Sequence, residues 1–199
     1  MRQSAIHPAF SDAPRGAQNV FRTVMDAMAR PGQILPLKAG FSPPPPLNPC
    51  AAAILIALAD FETPIWLDAL LARHREAAEF LRFHTGASLA ATPEAAAFAL
   101  IADFANAPPL SAFAQGTPDY PDRSATVIFQ VERMTADGWL LAGPGIDGQS
   151  RLSASPLPGG FERQLRDNRA RFPLGVDLIF AAGAEIAALP RSTRILEAR

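Results

Sequence analysis

The chain reads as an α/β protein, a three-layer domain around a mixed sheet, and three observations predict it. Segments with helical periodicity alternate with short apolar runs rich in β-branched residues. Two of those runs, Ala125–Val131 and Trp139–Ala142, are joined through Asp137-Gly138, a connection that favours an antiparallel hairpin. The run from Cys50 to Ala59 is apolar on every side, so a helix there belongs between layers rather than at a surface.

Each element has a local reason. Between Ala17 and Ala29, Val20, Phe21, Val24, Met25 and Met28 recur at helical spacing opposite Asn19, Arg22, Thr23 and Asp26, and Arg30-Pro31-Gly32 ends the pattern. Pro43–Pro46 is expected to be a stiff polyproline connector. The roughly 40 residues before it are too few to fold alone, so residues 1–199 are expected to form one domain, with 1–47 supplying an N-terminal helix and the connector packed on it. Asn48 and Pro49 have the residue types of a helix cap and first turn, and Asp60–Pro64 closes that helix. Ile65-Trp66-Leu67 reads as a short strand. Arg73–Phe83 reads as a helix carrying Ala77, Ala78, Phe80, Leu81 and Phe83, stopped by Thr85-Gly86. Phe98–Ile101 fits a strand, although the alanine-rich lead-in from Pro93 suits a helix equally. Phe161–Arg171 is helical with Phe161 and Leu165 inward, and Asp177–Ala181 is a buried strand.

Composition excludes several chemistries. A formal charge of -1 over 199 residues argues against nucleic acid as a partner. Lys38 is the single lysine among 18 basic residues, and it lies far from any glycine-rich loop. A phosphate-binding Walker loop and a pyridoxal phosphate Schiff base both need a lysine elsewhere. One cysteine allows no internal disulfide, and Cys50 in its apolar run is expected to be a buried core residue. That run is too short to span a bilayer, and Met1–Pro8 has no apolar signal core, so a cytoplasmic protein without membrane association is expected.

The stretch Gly143–Gly148, GPGIDG, matches the letters of a dinucleotide fingerprint after a strand-like run. Such a loop needs its last glycine to open a helix, but the residues after Gly148 are polar and interrupted by Pro156 and Pro158, while Pro144 removes a donor N–H. It reads instead as a glycine-rich exit from a strand, which is where open sheets containing parallel strands often place ligands. His7, His74 and His84 have no metal-pair spacing, so no metal site is expected. His84 suits a helix end more than an acid–base role. Ser150 lacks the second glycine of a nucleophile elbow, and Asp119 and Asp122 flank Tyr120-Pro121 as turn residues. Leu189–Arg194 brings two guanidinium groups and two hydroxyls together, a set that suits a phosphate or phosphonate, a partner's carboxylates, or solvent.

Seven segments in order resemble the H subunit family of the bacterial carbon–phosphorus lyase machinery: Gln18–Gly32, Leu58–Pro64, Arg82–Gly86, Gly116–Thr126, Leu141–Ile146, Asn168–Asp177 and Leu189–Arg191. The resemblance implies a fold similar to the pyridoxal phosphate-dependent transferases but without the cofactor, and it makes GPGIDG a turn at a sheet edge, structural or interface-forming rather than dinucleotide-binding. It implies a homodimer in isolation, a core complex with G, I and J subunits, and a functional link to the L subunit. The reaction it implies is displacement of adenine from ATP by a phosphonate, giving ribose 1-phosphonate 5-triphosphate. A stand-alone pyridoxal phosphate-type or nucleotide-binding enzyme is the alternative. Arg82, His84, Gly143, Gly145, Arg191 and Arg194 are the candidate residues for holding an anion or a partner. No catalytic residue, metal ligand or cofactor is expected within this chain.

Overall fold

The computed structural model describes residues 9–197, so His7 lies outside the described residues. Helix α1 (Ala13–Ala29) is capped by the Asp12 carboxylate, which accepts from Arg15 N. Its buried stripe is Val20, Val24 and Ala27, and Gly16 lets the ring of Phe10 close over the first turns. The sequence places Phe21 and Met25 in that stripe, but both remain 46% exposed. The helix approaches its neighbours through small residues, and this turns the bulkier flank outward.

The connector after α1 is not the straight spacer its four prolines predict. Leu47 N bonds back to Pro44 O at 3.1 Å, making a turn. The turn is tied to the sheet by Gln130, whose side chain donates to Pro46 O and accepts from Asn48 N. Asn48 Oδ1 then accepts from Cys50 N and Ala51 N, and α2 (Pro49–Leu58) starts where the cap signature places it. Strand β2 (Ile65–Leu67) comes next. The helix expected over Arg73–Phe83 is α4 (Arg75–Thr85), ended by Gly86 with φ 72°, and a short helix not foreseen, α3 (Ala69–Arg73), precedes it and meets it at His74. The remaining elements are β3 (Phe98–Ile101), β4 (Thr126–Gln130), β5 (Arg133–Ala142), β6 (Ser150–Ser155), α5 (Phe161–Ala170), β7 (Asp177–Ala182), β8 (Glu185–Leu189) and β9 (Arg194–Glu197), with β1 (Leu35–Pro36) lying earlier in the chain.

The main sheet is six-stranded and mixed, in the order β1-β8-β7-β4-β3-β2; β2, β3, β4 and β7 are mutually parallel, and β8 pairs antiparallel with both β7 and β1. Its strands alternate between two cores. Leu100, Ile128 and Ile179 face α1, α2 and α4, whereas Ala99, Val127, Phe129, Leu178 and Phe180 face α5 and a second, three-stranded antiparallel sheet ordered β6-β5-β9. The hairpin expected between Ala125–Val131 and Trp139–Ala142 does not form. β4 is a central parallel strand bonded to β3 and β7, and β5 belongs to the other sheet, paired with β6 and β9. Asp137-Gly138 lies inside β5, where the β5–β6 register shifts.

Cys50 is buried, as its surroundings predict, with Sγ directed at the carbonyls of Leu37 and Gly183. Burial pushes its thiol up from the usual 9.0 to about 11. A raised thiol pKa means that the folded chain holds the proton more tightly than the unfolded one. The stability this contributes is complete below the ordinary thiol range and is lost as pH rises through about 11. We therefore expect Cys50 to resist an aromatic disulfide reagent at pH 8 until denaturant unfolds the protein. Stability should fall between pH 9 and 11 more steeply in the wild type than in Cys50→Ala, as read from urea midpoints; equal slopes would refute the assignment.

Candidate functional site

The best-built cleft lies at the amino ends of β4 and β7 and is organised by one ion pair. β7 starts at Asp177, and β8 leaves the sheet two residues before Arg191. Asp177 Oδ1 accepts from Arg191 N at 2.8 Å and Nε at 3.2 Å, and Oδ2 accepts from Nη2 at 2.5 Å. Arg191 Nη1 donates to Pro121 O at 2.6 Å. The two side chains are 15% and 16% exposed. A planar guanidinium that binds one carboxylate through two of its nitrogens and a carbonyl through the third fixes three chain segments at once.

The loop leading into β7 is equally determined. Asn168, buried on α5, donates to Val176 O at 2.9 Å and accepts from Val176 N at 2.8 Å. Gly175, φ 110°, passes so close that a Cβ would stand 2.7 Å from Asn168 Oδ1. Arg169 lies over the ring of Phe172 at 4.9 Å from its centroid, and Phe172 faces the cleft half-exposed. Met28, Pro121, Asp122, Pro173 and Pro190 complete an open space of about 410 Å³.

Of the phosphate, partner carboxylates or solvent that the sequence leaves open for Arg191, none is its partner here, because its charge is matched by Asp177 of the same chain. Arg194 is exposed on β9. Gly143 and Gly145 lie in the loop joining antiparallel β5 to β6, so GPGIDG neither leaves a parallel strand nor opens a helix. The loop packs against the end of α1: a side chain on Gly145, φ 81°, would run into the carbonyl of Ala29, and one on Gly143 would meet Ser192 O at 3.1 Å.

Arg82 and His84 lie elsewhere, at the end of α4 beside the outer edge of β2. Phe61, 76% exposed, and Phe83, 64% exposed, line a second open groove there with Arg82 and Gly86. His84 is half-buried, its ring 4.4 Å from that of Phe80. The six candidate residues therefore form two groups, Arg82 and His84 at the end of α4, and Gly143, Gly145, Arg191 and Arg194 around the β5–β6 loop and the segment from β8 to β9. Sequence reasoning missed Asp177, Asn168 and Phe172. The run Asn168–Asp177 held the signal, a polar pair bracketing a proline and a glycine. Among the described residues, no group of three or more His, Cys, Asp and Glu side chains could hold a metal ion, and no helix is long and apolar enough to cross a membrane.

A family model described as bacterial phosphonate metabolism protein (PhnH) matches residues 8–196. Among curated relatives, the chain is 38% identical over 195 residues to the alpha-D-ribose 1-methylphosphonate 5-triphosphate synthase subunit PhnH of Rhizobium meliloti (strain 1021), covering 97% of both chains. It is 35% identical over 198 residues to the putative C-P lyase subunit protein HtxG of Stutzerimonas stutzeri, covering 92% of this chain and 87% of that one.

The geometry separates the two C-terminal arginines. Removing either member of the Asp177–Arg191 pair strands a partly buried charge, which costs about 2–3 kcal/mol. In a chain of this size, Arg191→Ala or Asp177→Ala should lower the melting temperature by roughly 5–10 °C. Arg194→Ala should stay within about 0.5 kcal/mol of the wild type. Differential scanning calorimetry of the three variants checks this, and an unshifted Arg191→Ala would contradict the ion pair's structural role.

Proposed function

The chain belongs to the PhnH family of bacterial phosphonate metabolism proteins, and from that premise we propose that it is a subunit of a carbon–phosphorus lyase complex. In this reading it serves the formation of ribose 1-phosphonate 5-triphosphate from ATP and a phosphonate, with release of adenine, in the cytoplasm. The observation that carries the reading is the end-to-end match, at 38% identity, to a protein named as a subunit of the corresponding synthase. Its companions in this reading are the G, I and J subunits, with the L subunit acting in the same step. Its scaffold would be that of a pyridoxal phosphate-dependent transferase without the cofactor, a view with which the exposed position of Lys38 agrees.

The cleft favours a structural contribution over a separate catalytic one. Arg191 is neutralised by Asp177, the walls are Met28, Phe172 and prolines, and Asp122 adds a negative charge, a lining better suited to a protein segment than to a free phosphonate dianion. The exposed Phe61 and Phe83 offer further apolar area to a companion.

Reconstitution tests the reading. The purified chain is mixed with its G, I and L companions, ATP and methylphosphonate, and adenine release is followed as each component is left out. Release should require both this chain and the I subunit. Adenine from this chain alone, or undiminished release without it, would overturn the proposal. The isolated chain should also self-associate, since exposed Phe21, Met25, Phe61 and Phe83 favour burial against a second copy. Light scattering at micromolar concentration should report a dimer, and a strictly monomeric mass would refute this.

A further inference from the structure

Phe61 and Phe83 are the two most exposed large hydrophobic side chains among the described residues. Both are held outward by well-bonded backbone. Phe61 stands at the tip of a turn that closes on itself: Asp60 N donates to Thr63 Oγ1 at 2.7 Å, Thr63 N to Asp60 O at 3.2 Å, and Glu62 N to Asp60 Oδ1 at 2.9 Å. Phe83 lies in the last turn of α4, which Gly86 N secures by donating to Arg82 O at 2.9 Å. The two rings wall an open groove of about 530 Å³ with Arg82, Gly86 and Ala87.

Unmatched charges of both signs accompany these rings. Arg82, in the groove, and Glu62, next to Phe61, are exposed, and neither has an ion-pair partner among the described residues. Glu79, also at the groove, is taken by Arg75 at 2.7 Å, and the Asp60 carboxylate serves its own turn. A surface that holds a free cation and a free anion together with apolar groups is complementary to itself, because a two-fold rotation brings each charge to its opposite on a second copy. The exposed flank of α1, with Phe21 and Met25, lacks this property: its carboxylate, Asp26, is held by Arg30 at 3.6 Å, which leaves Arg22 with nothing to meet on a second copy.

We propose that the Phe61–Phe83 groove is the contact between two copies of this chain, formed about a two-fold axis. The Phe61 turn of each copy sits in the groove of the other, and Glu62 of one copy pairs with Arg82 of the other, twice. The inference rests on the self-association proposed above and supplies its surface and its charge pairing. A dimer built in this way leaves the cleft of Asp177 and Arg191 open to a companion subunit, since the two spaces share no lining residue.

Charge exchange on the full chain tests this. The wild type, Arg82→Glu, Glu62→Arg, the double variant and an equimolar mixture of the two single variants are followed by sedimentation over a micromolar dilution series. Each single reversal sets like charges together at both contacts and should raise the dissociation constant roughly tenfold or more. The double variant, and the mixture, in which an Arg82→Glu copy meets a Glu62→Arg copy, restore opposite charges at both contacts and should dimerise like the wild type. Phe61→Ala, which removes the seated ring and no charge, should weaken the dimer to a similar degree, and it carries the test if a charge variant fails to fold. A monomeric wild type would overturn self-association itself. A dimeric wild type with unweakened single variants, with an unweakened Phe61→Ala, or with no recovery in the mixture would overturn this interface alone. Single variants that dimerise normally but no longer support adenine release with the companions would assign the groove to a companion instead, and would equally overturn the proposal.

Discussion

Burial of the main sheet on both faces is the constraint that governs the rest of the molecule. β3, β4 and β7 carry apolar side chains alternately into two separate cores, so neither face is available for chemistry or contact. Everything polar is driven to the sheet's margins. The Asp177–Arg191 pair stands at the amino edge, Asp68 and Gln130 at the carboxyl edge, and the Phe61–Phe83 groove beside β2. At each margin the strand ends leave backbone groups that need partners, and the side chains found there are those able to supply them.

This explains why local sequence signals were legible in some places and silent in others. The cap at Asn48 and the burial of Cys50 depend on neighbours in the chain, and each is where its residues place it, whereas Phe98–Ile101, whose lead-in suits a helix equally, is made a strand by pairing with β2 and β4. The hairpin expected between β4 and β5 failed because Asp137-Gly138 is a strong turn signal only when two strands compete for each other. Val127, Ile128 and Phe129 instead gain burial on both sides by joining the parallel sheet, where a strand reads as an unbroken apolar run. Strands β1, β6, β8 and β9 escaped notice for a related reason. Ser150–Ser155 is too polar and Glu185–Leu189 too rich in alanine to announce a strand without its partner.

The candidate site was legible by residue type and not by role. Arg191 stood out as a guanidinium in a proline-bounded tail, but its meaning is set by a carboxylate whose proximity depends on the β7–β8 pairing. Gly145 was visible as part of a glycine cluster, and its reason is the carbonyl of Ala29 on a helix more than a hundred residues earlier. Arg82 and Arg191 sit in segments of equal prominence in the sequence, yet one is an exposed residue of a groove and the other a partly buried fastening.

The segments by which the family is recognised share a physical character. Asn168 and Gly175 shape the approach to β7, Arg191 ties three segments together, and Gly143 and Gly145 allow two loops and a helix end to touch. Each is demanding because a small change of shape or charge there has no compensation nearby. Residues of this kind fasten distant segments of the chain to one another.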